Sequence, residues 1–337
     1  MYIVGSYTLA VIFCFVTMLC WGSWGNTQKL AAKSWRYELF YWDYVIGMVI
    51  FSLILAFTAG SIGSQGRPFV QDLAQVSWAS IGWVVLGAVV FNVSNILLSA
   101  SVSLAGMAVA FPLGVGIALV MGVLNNLLLH PTAGQNTTLL WVGVVLVVLA
   151  VVFNGIASGK VSSEQRDPKQ NRKGIILALL AGIIMSFFSA LVYNGVDLDN
   201  FAAPAAGKMT PYTAMVIFAL GVFLSNFIVN TIVMKKPFVG EPVTYKQYFA
   251  GNLKTHLVGV LGGCIWALGT SLNYICAGTA GAAVSYALGQ GAPMVAAIWG
   301  VFVWKEFKGA PAKVYWLLAL MFALFVAGLA CVVMAGM

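Results

Sequence analysis

Apolar residues run in ten stretches along this chain, at 6–28, 38–59, 77–100, 104–129, 138–158, 174–195, 211–234, 255–277, 280–303 and 312–335, with short polar or glycine-rich segments between them. Each stretch is close to the ~20 residues that cross a hydrocarbon core as a helix. Lipid offers a backbone no hydrogen-bonding partners, so each stretch must satisfy its own peptide groups and is read as a helix. The pattern predicts an all-α integral membrane protein with ten transmembrane helices. The first stretch is read as helix one rather than a cleaved leader. No positive charge precedes it, and Trp21 and Trp24 stand where a cleavage site needs small residues.

The halves of the chain repeat each other. At an offset of 175, Leu104–Asn125 aligns without gaps on Thr279–Gly300, and eight of 22 positions are identical: Ala105/Ala280, Gly106/Gly281, Ala108/Ala283, Val109/Val284, Leu113/Leu288, Gly114/Gly289, Gly116/Gly291 and Val120/Val295. The same register pairs Val85-Leu86-Gly87 with Val260-Leu261-Gly262, and Trp141 with Trp316. Five helices per half is an odd number, so the second half is expected upside down relative to the first. Inverted repeats of this kind place a transporter's solute site near the midplane, between the halves. The expected division is 1–158 for the first five-helix repeat, 159–173 for a linker and 174–337 for the second repeat.

Composition agrees with lipid as the main solvent. Of 337 residues 61% are hydrophobic and 8% charged, against roughly 25% charged in soluble domains. The net charge of +8 is a topology signal rather than a nucleic-acid signal. Fifteen of the 17 basic residues fall in loops on one side of a ten-helix chain; Arg67 and Lys208 alone fall on the other. The positive-inside rule then sets the basic loops, including Lys33 and Arg166, in the cytoplasm and both termini outside it, as expected for a plasma or bacterial inner membrane protein. The five cysteines all lie in apolar stretches without a C-x-x-C pair and read as packing residues. Gly155…Gly159-Lys160 is one residue short of a phosphate loop, and Val161 replaces its Ser/Thr, so nucleotide binding is rejected. No cofactor is expected. An enzyme is not expected either, since the only histidines, His130 and His256, form no catalytic motif.

Polar side chains inside spans are costly in lipid and mark candidate sites. Helix one carries Trp21, Trp24 and Asn26; helix three carries Asn92 and Asn95; helix eight carries Trp266, Thr270 and Asn273 on one face; helix nine carries Tyr286 and Gln290 one turn apart. Aromatic faces with amide groups suit a planar or ring-shaped neutral solute. Pro112 and Pro293 are expected to break helices four and nine, freeing backbone groups for a ligand. Asp43, about one turn inside helix two, is the main charged residue within a span. It is a candidate for proton coupling, with pairing to Lys29 or Lys33 as the alternative. His256 is a lesser candidate, and Glu306 reads as a boundary anchor.

At these residues the chain resembles the drug/metabolite transporter superfamily. It is most similar to the ureide permeases and, more distantly, to the bacterial glucose/ribose porters and the rhamnose–proton symporters. The likeness is carried by Trp21-Gly22-Ser23-Trp24 through Tyr41-Trp42-Asp43-Tyr44, by Asn92–Asn95 with the Gly106 hairpin, and by Ala287–Glu306 with Gln290, Pro293 and Trp299-Gly300. The resemblance implies an inverted five-plus-five fold and solute uptake with protons, and it marks Asp43, Asn95 and Gln290 as functional positions. The linker here is shorter than the long central loop of the plant members. The expectation is thus a permease importing a small neutral polar metabolite, either ureide- or nucleobase-like or a monosaccharide, by proton symport. Its partners would be that solute, protons and the lipid bilayer, not nucleic acid. Efflux of amphipathic compounds is the alternative; monomer and homodimer both stay open.

Overall fold

The computed structural model of the chain describes residues 1–31, 35–105, 107–161 and 167–337. Lys33, Gly106 with its hairpin, Ser163 and Arg166 lie outside the described residues, as do the side chains of 107–109, Phe111 and Pro112.

Regular structure among the described residues is helical, apart from one isolated bridge between Val196 and Met209. The first span is α1 (Tyr7–Ser23) continued by α2 (Gly25–Ala31), and the second is α3 (Tyr37–Phe57). A short α4 (Phe69–Gln75) precedes the third span, α5 (Trp78–Ala105); α6 (Met107–Leu129) and α7 (Thr137–Val161) are the fourth and fifth. The sixth is α8 (Pro168–Met185) with α9 (Phe188–Tyr193), and the seventh is α10 (Pro211–Lys235). A short α11 (Tyr245–Phe249) leads into the eighth, α12 (Leu253–Ala280). The ninth is α13 (Ala282–Gly289), α14 (Ala292–Ile298) and a π-helical turn at Trp299–Val303; the tenth is α15 (Ala312–Ala335). Nine helices among the described residues are long and apolar enough to cross a membrane, and Leu113–Leu129 of the fourth span is a shorter apolar one. The protein is an integral membrane protein.

Local chemistry sets the ends. The side chains of Ser6, Asp167, Thr210 and Asn252 each accept a backbone N–H in the first turn of α1, α8, α10 and α12, and proline follows directly at Pro168 and Pro211. Thr244 and Gln247 form a reciprocal capping box on α11. The ninth span breaks where expected, with Gln290 and Gly291 between its segments and Pro293 in the first turn of α14. In the fourth span the backbone stays helical through Pro112 instead. Breaks at Trp24 and at Ser186–Phe187, in the first and sixth spans, are not foreshadowed by the apolar pattern.

The packing has a reciprocal form. The third span packs on the sixth and the eighth on the first; the eighth packs on the second and the third on the seventh; the fifth and tenth pack on each other. Exchanging the halves leaves this set of pairings unchanged. The repeat-related rings of Phe91 and Trp266, near the middles of the third and eighth spans, touch at 4.5 Å between centroids. Close helix contacts are made at glycines. A Cβ on Gly143 would lie 2.7 Å from the Gly328 carbonyl, and one on Gly328 would lie 2.9 Å from the Gly143 carbonyl. Among the described glycines the two closest approaches, at Gly263 and Gly47, both join the second and eighth spans, and Gly259 faces Asp43 on the same crossing. The five cysteines are free.

Candidate functional site

Both termini and the loops 58–77, 130–136 and 194–210 lie on one face of the bundle. The loops 236–252 and 304–311 lie on the other with α2. The second face opens into a cavity of about 860 Å³. Trp24, Gln28 and Lys29 of the first span line it, with Trp35 and Arg36 ahead of the second and Tyr37 at its start. Asn95, Ser99 and Ser103 of the third span and Asn154 and Ser158 of the fifth add polar groups to a wall that is otherwise largely apolar, with Leu98, Val102, Pro293, Ala296 and Phe307 among its lining residues. Charges at its rim are paired: Lys29 with Glu306, and Arg36 with Glu38, whose carboxylate is buried. Lys29 also stands 4.4 Å over the Trp304 ring, and Arg36 donates to the backbone carbonyls of Val239 and Glu241.

An aromatic layer closes the inner end of the cavity. Trp24 packs on Tyr44 (4.9 Å), and Tyr44 on Trp266 (6.3 Å). Trp266 is stacked with Phe218 and with Trp21, whose indole N–H donates to Thr270 Oγ1 at 3.0 Å. Beyond that layer buried side chains are bonded to one another and to the backbone, sealing the bundle. Tyr193 donates to Asn273 Oδ1 and the Asn273 amide to the Ser285 carbonyl at 2.7 Å. Tyr286 donates to the Ala118 carbonyl, and His130 contacts the Ala190 carbonyl. Burial lowers the His130 pKa below the ordinary imidazole value. Over this seal Arg67, held by Asp72, donates to the carbonyls of Pro204 and Lys208, and Gln75 bonds Gly207 N and Lys208 O.

Of the residues singled out from sequence, Trp24 and Asn95 line the cavity. Trp21, Trp266 and Thr270 form the layer beneath, and Asn273 and Tyr286 are bonded within the seal. Gln290 is buried at the helix break, between Gly289, which faces the Trp21 ring, and Gly291, which faces Met18. Asn26 is tied to Ser23 O and the Trp304 indole, and Asn92 to Val222 O and Ser225 Oγ, away from the cavity wall. Asn26 thus ties its own helix to the 304–311 loop, and Asn92 ties the third span to the seventh. The lining residues that sequence reasoning passed over, such as Ser99, Asn154 and Ser158, were hidden in otherwise apolar runs.

Asp43 sits behind the cavity wall, not in it. Trp35 Nε1 donates to its Oδ2 at 3.1 Å, Tyr248 Oη donates to Oδ1 at 2.7 Å, and His256 Nδ1 contacts the same Oδ1 at 2.7 Å. The Lys29 alternative is not seen, since Lys29 is paired with Glu306, and Lys33 is outside the described residues. Burial and the neighbouring carboxyl raise the pKa of the Tyr248 hydroxyl, which keeps it a donor.

A helical bundle that spans the bilayer, is closed on one face and holds on the other a cavity lined by apolar side chains interspersed with amides and hydroxyls is the build of a membrane transporter for small solutes. The ureide permease family model matches residues 40–173 and 167–336, and the chain belongs to that family. It is 24% identical to ureide permease 1 of Arabidopsis thaliana, covering 98% of this chain and 97% of the relative. The aligned length of 383 positions exceeds the chain, so the plant protein carries insertions. An L-rhamnose-proton symporter of Yersinia pestis is 27% identical over 54% of each chain. One solved crystal structure superposes with a TM-score of 0.62 at 16% identity, covering 96% of both chains, and shows the shared fold alone.

Proposed function

We propose that the protein is a secondary active importer of a small neutral polar metabolite, ureide- or nucleobase-like or a monosaccharide, driven by proton symport with alternating access. The observation that carries this is the one-sided cavity whose rim charges are each matched by a counter-charge. Its wall offers amides, hydroxyls and the rings of Trp24, Trp35 and Tyr37. Paired charges leave no net attraction for an ion, while amides and rings can hold a polar planar or cyclic solute. The residues expected to meet the solute are Trp24 and Asn95 in this state, and Trp21, Trp266, Thr270, Asn273, Tyr286 and Gln290 once the cavity closes over it.

The names of the relatives point the same way. Ureide permeases supply the ureide class, and the rhamnose–proton symporter supplies sugars and the coupling ion. We place both termini outside the cytoplasm of a plasma or bacterial inner membrane, which makes the open side cytoplasmic and the conformation inward-facing. The reciprocal pairing of spans supports reading 1–158 and 174–337 as inverted repeats joined by 159–173. Asp43 is assigned the coupling proton. Uptake of labelled allantoin, uracil, ribose and glucose into proteoliposomes, with and without an inward proton gradient, tests the proposal. At least one solute should accumulate only with the gradient. Accumulation of none, or gradient-driven loss from preloaded vesicles of the same orientation, would overturn it.

A further inference from the structure

We infer that Trp35 is the positioning residue through which the solute cavity and the Asp43–His256 pair sense each other; the inference rests on the proton-symport reading above. The Trp35 ring lines the cavity, and its indole N–H donates to Asp43 Oδ2 at 3.1 Å. One side chain therefore touches both the space where solute enters and the carboxyl assigned the proton. Among the described residues no other cavity-lining side chain bonds Asp43. Tyr248 and His256, its partners on the opposite oxygen, lie off the cavity wall.

The ring is held on three sides. His256 meets it edge-on at 5.2 Å between centroids, and Tyr248 lies against it at 6.1 Å. A Cβ on Gly251 would fall 2.5 Å from its Cη2 and 2.6 Å from His256 Nε2. A shift of Trp35 toward or away from the cavity thus disturbs the whole cluster. Among the described residues, the other charged groups on the surrounding elements are turned elsewhere: Arg36 and Glu38 are paired with each other, and Lys235, Lys236, Glu241, Lys246 and Lys254 are exposed. The His256 side chain is 22% exposed and the Asp43 side chain 2%, so His256 is the member of the pair that meets solvent.

The link has a sign. An N–H donated to a carboxylate is roughly twice as strong as one donated to a neutral carboxyl. Keeping Trp35 in place therefore favours ionised Asp43, and protonating Asp43 loosens Trp35. Solute that draws Trp35 into the closing cavity favours proton uptake, and proton uptake frees Trp35 to close over solute. The two effects are equal by linkage.

The test uses the full-length protein in proteoliposomes and in detergent, with whichever of allantoin, uracil, ribose and glucose shows uptake in the assay above. Trp35→Phe keeps the ring and removes the donor. Its KM should stay within about threefold of wild type, while the pH midpoint of uptake moves up by about one unit, a tenfold change in proton affinity. Gradient-driven accumulation should fall toward the equilibrium ratio, and the proton uptake seen with a pH dye on adding solute should be lost. Trp35→Gln returns a donor without the ring, so it should keep proton uptake and raise KM. Tyr248→Phe removes a donor that does not touch the cavity; it should move the pH midpoint yet leave solute-linked proton uptake intact. Wild-type accumulation that ignores the proton gradient would sink this inference and the symport reading together. A coupled wild type with an equally coupled Trp35→Phe would sink this inference alone, as would loss of linkage in Tyr248→Phe but not in Trp35→Phe. Should Trp35→Phe fail to insert, the inference stands or falls on Trp35→Gln and Tyr248→Phe by the same readouts.

Discussion

Replacing Gly263 by alanine tests the crossing on which the Asp43 cluster depends. A Cβ at this position would lie 1.8 Å from the Tyr44 carbonyl oxygen, 2.8 Å from its carbonyl carbon and 2.9 Å from Met48 N. All three atoms are backbone, so no side chain can swing aside. Ordinary contact distances of roughly 3.5–4.0 Å require the second and eighth spans to part locally by about 2 Å. Gly47 and Gly259 sit on the same crossing, facing Val260 O at 2.1 Å and Asp43 Cβ at 2.4 Å, so the separation would also unpack them. Overpacking typically costs about 1–3 kcal/mol; with rigid backbone on both sides the upper end is expected. The same movement stretches the 2.7 Å contact between His256 on the eighth span and Asp43 on the second. Gly82→Ala is the control, since nothing lies within 4 Å of its Cβ position. There, the gain in helix propensity of about 0.5–1 kcal/mol should make the substitution neutral or stabilising. Thermal melting in detergent, followed by fluorescence-detected size exclusion, should show Gly263→Ala melting several degrees below wild type and Gly82→Ala at or above it. Equal melting of Gly263→Ala and wild type would refute the close crossing of these two spans.

Asp43→Asn should abolish gradient-driven accumulation while retaining exchange of solute between equal pools, because the amide mimics the protonated acid and cannot release a proton; concentrative uptake by this variant would move coupling elsewhere. Asn273→Ala strands the Ser285 carbonyl and the Tyr193 hydroxyl in the seal, each at about 1–3 kcal/mol, and should impair uptake with membrane abundance unchanged. Gln290→Ala should impair uptake likewise, and normal transport by both variants would place the solute away from the helix break. Cysteine labelling in spheroplasts should find Gln247→Cys protected as cytoplasmic and Met337→Cys reactive outside, and the reverse accessibility would invert the proposed orientation.

The ten spans were legible because lipid imposes a length and an apolar content that few other constraints contest. The surroundings of Gln290 were partly legible too: Pro293 announced the break in the ninth span, though its π-helical turn was not foreshadowed. Asp43 stood out as a lone carboxyl in an apolar run, yet its partners did not. Tyr248 and His256 are 205 and 213 residues away, and nothing in local periodicity joins them to it. The amides mark the opposite limit. Asn26, Asn92 and Asn273 share a residue type and a span setting with Asn95, but of these four only Asn95 faces the cavity. Which amide meets solute and which bonds a neighbouring helix is decided by helix rotation and by tertiary partners. Gly259 and Gly263 stand four apart in the sequence, and the structure gives that spacing its meaning as a helix crossing.

The Phe91–Trp266 contact joins repeat-related positions, and on the proposed inverted relation it lies on the axis that exchanges the halves. A contact on such an axis is a fulcrum. On the proposed alternating-access reading it would keep the same partners in both facing states, so its energy would cancel from the balance between them. The clasps away from the axis do not cancel. Arg67 grips the 194–210 loop on one face, and Arg36 grips the 236–252 loop on the other. Substitutions at Phe91 or Trp266 should therefore change how firmly the protein holds together, while substitutions at Arg36 or Arg67 change which way it rests.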